Sequence, residues 1–222
     1  QEELAQTAFQ SLGLPATSVI SPTTWAYDEG AASLYSYDPE ESARLLEEAG
    51  WVDSDGDGLR EKDGEKLTID WPDNPAWSEA FNELLIGYLT NVGFDVQYRS
   101  MDDGAAYEEL LAGNYTLVYM YWTRPDPTPL RYLFHSENTN GGGAWTNFVN
   151  EDLDAALADG DTNTDENARK QDYITAQNII MENALVLPMF TVNTSYLTAP
   201  TVQGFSFDLE GYPFLYDISI SQ

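Results

Sequence analysis

The run from Asp38 to Leu67, D-P-E-E-S-A-R-L-L-E-E-A-G-W-V-D-S-D-G-D-G-L-R-E-K-D-G-E-K-L, encodes a helix, a loop and the start of a strand with no spacer between them. Asp38 offers an acceptor at the N-cap, Pro39 suits the first helical position, and Glu41 is placed to close a capping box onto Asp38. Leu45, Leu46 and Ala49 form one apolar stripe, and Gly50 supplies a left-handed stop. An Asp-rich loop then leads into Lys66–Trp71, which reads as a strand ended by Pro72.

The remaining elements follow the same short rhythm. Residues 1–12 are helical in pattern and stop at Gly13. Residues 77–91 predict a helix, because Phe81, Leu84, Leu85, Tyr88, Leu89 and Val92 share one face and Gly93 ends it. Phe94, Val96 and Tyr98 alternate with Asp95, Gln97 and Arg99, as in a half-buried strand. A short helix over 103–112 leads to Thr116–Trp122, whose continuous apolar run predicts a central strand. Short helices are expected over 127–134, 150–159 and 165–183, the last capped by Asp165, with a Gly-rich loop over 138–147. The end of the chain reads as short extended segments, over 185–190, 195–198, 204–207 and 215–219. Strands alternating with helices predict an α/β sheet with right-handed crossovers, and no internal repeat or long linker interrupts it.

Composition narrows the function classes. With 42% hydrophobic and 13% aromatic residues, the 222-residue chain can bury a sizeable core. No apolar run approaches the roughly 20 residues of a spanning helix. A net charge of −29, from 38 acidic against 9 basic residues, repels nucleic acid and anionic membrane. The acids are spread along the chain and not gathered in a tail. This favours a surface adapted to molar salt, where the Debye length is about 3 Å, and predicts unfolding below roughly 0.5 M salt. Without cysteine there is no disulfide and no thiolate site.

Several linked motifs resemble one family, the extracellular solute-binding proteins of peptide-type (oligopeptide, dipeptide, nickel) ABC importers. Tyr37-Asp-Pro-Glu with Ala49-Gly-Trp51 resembles the family's hallmark helix, and Asp53–Gly58 with Asp63-Gly64 its Asp loop. Gly93-Phe-Asp-Val-Gln97 and Ala105-Ala-Tyr107 resemble the strand and helix that follow. Trp122-Thr-Arg-Pro-Asp-Pro127 with Leu133-Phe-His-Ser136 resembles a binding-site strand end and helix. Ala184–Phe190, Val202–Phe205 and Leu215–Asp217 resemble the family's C-terminal end. The resemblance implies an α/β fold: the C-terminal lobe of a class II periplasmic-binding-protein-like fold, with a mixed sheet flanked by helices. Residues 1–190 would form that ligand-binding lobe, and residues 191–222 a segment returning toward an N-terminal lobe. The chain opens inside a helical pattern and is expected to be a fragment holding one wall of the cleft. The implied partners are a small-molecule or peptide solute and a membrane ABC permease, with no nucleic acid and a monomeric state. The implied location is extracellular, at the cell surface, exported or lipid-anchored.

Each candidate site carries two readings. Asp53, Asp55 and Asp57 with Gly58 have the spacing that opens a calcium loop, with the Leu59 carbonyl next in order. Position 12 is Gly64 where an EF-hand has Glu, so Asp63 or Glu61 would substitute; otherwise the loop is a turn held by its own Asx side chains. No other cofactor is required. Trp122 can wall a solute site at the strand's C-terminal end, Asp126 can meet an amine and Arg124 a carboxylate. Alternatively Trp122 is core, Asp126 caps a helix and Arg124 pairs with a surface acid. Trp145 can stack on a solute and Asn147 bond to it, or Trp145 can tuck into the core.

Peptide binders of the family leave more residues between this Trp and the Asp-Pro step. Its dipeptide binders carry an Arg in the turn occupied here by Trp71-Pro-Asp-Asn-Pro75, which counts against a dipeptide. His135, the single histidine, is read as structural, and no catalytic residues are expected. The competing function is an acidic cell-surface adhesion domain that uses calcium.

Overall fold

The computed structural model describes residues 2–9, 13–32, 34–75, 79–122 and 124–221. The expected end of the first helix at 12 and start of another at 77 lie outside the described residues. Helix α1 (Glu2–Phe9) leads to strand β1 (Gly13–Pro15), short helix α2 (Glu29–Ala32) and helix α3 (Pro39–Glu48). Gly13 is required by close packing: a Cβ there would lie 2.4 Å from the Ala5 carbonyl oxygen.

Helix α3 forms as the local signals dictate. Asp38 Oδ1 accepts the Glu41 amide at 2.9 Å, and Pro39 occupies the first turn. At the other end the Gly50 amide reaches Glu47 O and the Trp51 amide reaches Leu46 O, a Schellman stop with Gly50 at φ +88°. Two expectations fail here. The Glu41 carboxylate pairs with Arg44 at 2.6 Å instead of completing the capping box. The Leu45 stripe is also unburied: Leu45 is 52% exposed and no residue of α3 is buried.

The Asp loop ends in a hairpin of β2 (Glu61–Lys62) and β3 (Glu65–Lys66). Its turn residues Asp63 and Gly64 both have positive φ, 55° and 85°, the geometry of a type I′ turn. Strand β4 (Thr68–Asp73), helix α4 (Glu79–Asn91) and β5 (Asp95–Ser100) form a parallel βαβ unit, pairing Thr68 with Asp95 through Asp73 with Ser100. Strand β4 continues through Pro72, contrary to expectation. Proline lacks the N–H of a ladder donor, which is tolerated because β5 is the only regular strand alongside among the described residues. Arg99 ties the unit to helix α5 (Asp103–Ala112), bonding Asp70 at 2.7 Å, Glu109 at 3.2 Å and the Asn114 carbonyl at 2.8 Å.

The predicted central strand over 116–122 is corrected by the structure. The amides of Thr116 and Leu117 both reach the Asp70 carbonyl, but no ladder continues beyond them. A central strand needs a pairing partner on each edge, and among the described residues this segment joins no ladder; Met120, Tyr121 and Trp122 remain about half exposed.

Helix α6 (Pro129–Phe134) precedes a 3-10 turn at Ser136–Asn138, then α7 (Glu151–Thr162) and α8 (Glu166–Glu182). Asp165 Oδ1 accepts the Ala168 amide at 2.9 Å, capping α8 as expected. Strand β6 (Phe190–Val192) returns to pair antiparallel with β1. Four two-residue strands follow: β7 (Val202–Gln203), β8 (Ser206–Phe207), β9 (Pro213–Phe214) and β10 (Ser219–Ile220), paired β7 with β10 and β8 with β9.

Two cores hold the α/β body. One gathers Leu130, Phe134, Leu153, Leu157, Tyr173 and Ile180 between α6, α7 and α8, with Ala26 from the loop before α2. The other packs Leu4, Ile69, Trp71, Phe81 and Leu85 between α1, α4 and β4. The stripe predicted on α4 is the one that faces this second core.

Candidate functional site

The segment after residue 116 carries Trp122 to a half-exposed position on the surface. Arg124 Nη1 meets Glu210 Oε2 at 2.7 Å, a contact to the C-terminal segment. Asp126 lies two residues before the α6 cap. Its Oδ1 accepts the Thr128 amide at 3.1 Å and Arg169 Nη2 at 3.1 Å. Its Oδ2 accepts Trp25 Nε1 at 3.2 Å. Burial pushes the Asp126 carboxyl up, but the Thr128 and Trp25 donors and the Arg169 charge outweigh it, leaving its pKa below the ordinary value. The helix itself begins at Pro129 with Thr128 as its cap residue, so Asp126 forms an Asx turn onto Thr128.

Trp145 and Asn147 sit in a loop folded by its own contacts. Asn147, at φ +49°, accepts the Asn140 amide on Oδ1 at 3.1 Å. The Trp145 ring packs edge-on against Tyr107 and Tyr115, with centroids 6.0 and 6.5 Å away, while the Tyr115 hydroxyl donates to the Trp145 carbonyl. Trp145 Nε1 is enclosed and has no hydrogen-bond partner among the described residues. A Cβ on Gly143 would fall 2.2 Å from the Tyr132 ring, which would have to shift to admit it. The loop is therefore shaped by α5 and α6 neighbours, which sequence spacing alone does not reveal.

Sequence reasoning missed Asp73. It ends β4, at the carboxy end of the parallel pair, where open α/β sheets place their ligands. Its Oδ2 accepts Asn82 Nδ2 at 3.1 Å and the Tyr98 hydroxyl at 3.2 Å, beside a tight recess lined by Phe9, Phe81, Tyr119 and Phe190. Burial raises the Asp73 pKa, and the two donors only partly oppose it. Burial and the Asp73 charge push the Tyr98 phenol up to about 12. The available sequence signal was an Asp at a strand's C-terminal end followed by Asn82 on the next helix.

The acidic loop is ordered by Asx bonds. Asp53 accepts the Gly56 amide at 2.7 Å and the Gly58 amide at 3.0 Å, Asp55 accepts that of Asp57, and Asp57 that of Leu59. Carboxylate oxygens of Asp53, Asp55, Asp57 and Glu61 all lie within 4.8 Å of one another. Glu61 Oε2 is held by Ser54 while its Oε1 is enclosed without a partner. Lys66 Nζ approaches Asp57 at 2.8 Å and its hydrogen bond and charge lower the Asp57 pKa. Asp63 stands apart from this group, in the hairpin turn. A shallow depression of about 270 Å³ adjoins the loop between Glu47, Asp53, Arg60 and Asn91, and none of the five expected solute residues lines it. His135 Nδ1 accepts the Glu137 amide at 3.1 Å and lies 3.6 Å from Asp154, a position within the α6–α7 connection.

Comparison with known proteins places this architecture. Residues 1–144 match the family described as bacterial extracellular solute-binding proteins, family 5 Middle. The probable di/tripeptide-binding protein 5 of Pseudomonas aeruginosa is 27% identical over 203 residues, a match covering 90% of this chain and 37% of that protein. The oligopeptide-binding protein AppA from Bacillus subtilis, solved with a nonapeptide, has a TM-score of 0.81 at 20% identity, over 100% of this chain and 45% of that one. NikA from Brucella suis, solved with Fe(III)-EDTA, has a TM-score of 0.79 at 22% identity, over 99% and 45%. At such identities the structural likeness establishes the α/β fold. The chain spans about two fifths of the length of the curated relatives it matches. No helix among the described residues is long and apolar enough to cross a membrane. With the family pattern matched over well over half its length and the fold shared throughout, the chain belongs to the family 5 extracellular solute-binding proteins.

Proposed function

We propose that this chain is one lobe of a two-lobed receptor that captures a peptide or similar small molecule for an ABC importer. The reading rests on the family match over residues 1–144, supported by a fold that superimposes along the whole chain on receptors of this kind. A relative named for di/tripeptides and a neighbour solved with a nonapeptide support a peptide solute. Trp122, Arg124, Asp126, Trp145 and Asn147 are the proposed solute residues, on a lobe ending near 190. Residues 191–222 then return toward the other lobe, a role supported by their exposed apolar side chains. Closure of the two lobes on solute would set affinity and present the complex to the permease. The receptor works as an exported or lipid-anchored monomer on a halophile's surface, and its acidic charge calls for screening by molar salt.

The test is mass spectrometry of what co-purifies with the longer polypeptide this reading requires, isolated from its host in molar salt. Peptide masses released on denaturation are expected. A sugar oligomer or metal chelate in their place overturns the peptide assignment.

A second reading, an acidic cell-surface domain that binds calcium for adhesion, draws on the four clustered carboxylates. Under either reading we propose that Asp53, Asp55, Asp57, Glu61 and the Leu59 carbonyl hold a structural calcium, with Asp63 outside the first set of ligands. Calorimetric calcium titration of wild type and Asp55→Asn is expected to give heat only for wild type. Absence of heat at millimolar calcium removes the metal. Permease and ATPase genes beside this one would sink the adhesion reading.

A further inference from the structure

We infer that Arg169 is a positioning residue for the proposed solute arm around Asp126, fixing that carboxylate to the α7–α8 core without itself touching solute. The inference rests on the reading that Asp126 faces the solute.

Arg169 lies in the first turns of α8, where the helix dipole disfavours a cation. It is also one of only nine basic residues in a chain of net charge −29. Its contacts explain why a cation stands there. Arg169 Nε donates to the Gly160 carbonyl of α7 at 2.7 Å, and the guanidinium lies 5.6 Å from the Tyr173 ring centroid, two attachments to the buried core. It also lies 5.0 Å from the Trp25 ring centroid and donates from Nη2 to Asp126, two attachments to the loop and the arm. With Thr128 and Trp25 also donating, both Asp126 oxygens are occupied and the carboxylate has one orientation.

Pro125 and Pro127 flank Asp126, and their fixed φ angles restrict the backbone on either side of it. Lysine cannot substitute. A single ammonium has no planar fork to bond the Gly160 carbonyl and Asp126 together while lying over two rings. Asp126 therefore meets a solute as a carboxylate already balanced by Arg169, so it offers an oriented acceptor more than a net negative charge.

The test uses the chain labelled with 5-fluorotryptophan in molar KCl, read by ¹⁹F NMR and by amide hydrogen exchange. Arg169→Gln and Arg169→Lys are both expected to speed exchange of the Thr128 amide, which donates to Asp126, about tenfold or more, as loosening of that carboxylate should. They are also expected to shift the Trp25 resonance while that of core Trp71 stays in place. Wild-type protection in Arg169→Gln, or full rescue by Arg169→Lys, overturns the inference. Should Arg169→Gln fail to fold, Trp25→Phe removes one Asp126 donor and keeps a ring under Arg169; it must loosen the Thr128 amide to a smaller extent, and unchanged exchange there sinks the proposal. Calorimetric titration of the longer polypeptide with trialanine tests the solute reading separately. No heat across the titration, with Arg169→Gln still loosening the Thr128 amide, leaves the positioning role standing and removes the solute assignment.

Discussion

The α7–α8 body and the C-terminal segment use similar apolar residues in opposite ways. Leu153, Leu157, Tyr173 and Ile180 are fully enclosed between helices. Between 193 and 221 no residue is buried, and Leu197, Leu209 and Tyr216 are almost wholly exposed. Hydrophobicity alone therefore does not make a core. The helices bring apolar residues to one face every third or fourth position, and two such faces close on each other. The C-terminal segment has only two-residue strands, each pairing with another equally short, and no second layer to cover them. Its apolar side chains are therefore left uncovered among the described residues.

The strongest way to break that contrast is to truncate one residue on each side. Leu157→Ala should cost about 2–5 kcal/mol, read from the denaturant midpoint in molar salt, whereas Leu209→Ala should leave the midpoint in place. Equal losses would mean that the C-terminal segment packs as a core does.

A smaller effect separates two carboxylates of the body. The folded-state pKa of Asp73 is raised by burial, so its stabilising contribution is present below the ordinary Asp value and lost as pH rises through the raised one. Asp73→Asn should accordingly stabilise the chain at neutral pH, in thermal melts followed from pH 4 to pH 7 (about the ordinary Asp pKa upward). The pKa of Asp126 is lowered despite burial, because its donors and Arg169 outweigh desolvation. Its contribution is present above the ordinary value and lost as pH falls through the lowered one. Asp126→Asn should thus destabilise at neutral pH, opposite in sign to Asp73→Asn. The same sign for both would refute the assigned causes.

The smallest expected change is removal of residues 193–221. The body should keep its unfolding midpoint to within about 1 kcal/mol, the usual worth of a surface ion pair such as Arg124–Glu210. A larger loss would show that the segment supports this lobe directly.

Much of the local structure was legible in the sequence, for a physical reason visible at particular residues. Asp38, Gly50 and Asp165 act on amides or carbonyls within a turn of themselves, so the residues that decide a helix end are neighbours in the chain. The α4 stripe was readable because Phe81 and Leu85 stand one turn apart. The linked motifs also carried the family, which the match over residues 1–144 bears out.

What the tertiary structure alone decided concerns partners far along the chain. The apolar 116–122 run reads as a central strand, yet pairing requires two edges that packing did not supply. The α3 stripe reads as a core face, yet Leu45 stays exposed and no residue of the helix is buried. Asp126 finds Trp25 and Arg169, 101 and 43 residues away, and Asp73 finds Tyr98 across the parallel pair. Caps and periodicities report energies that act over one helical turn, and the sequence determines them by itself. Burial, charge balance and the setting of Trp122 depend on which surfaces meet after the chain has closed, and that was settled only in three dimensions.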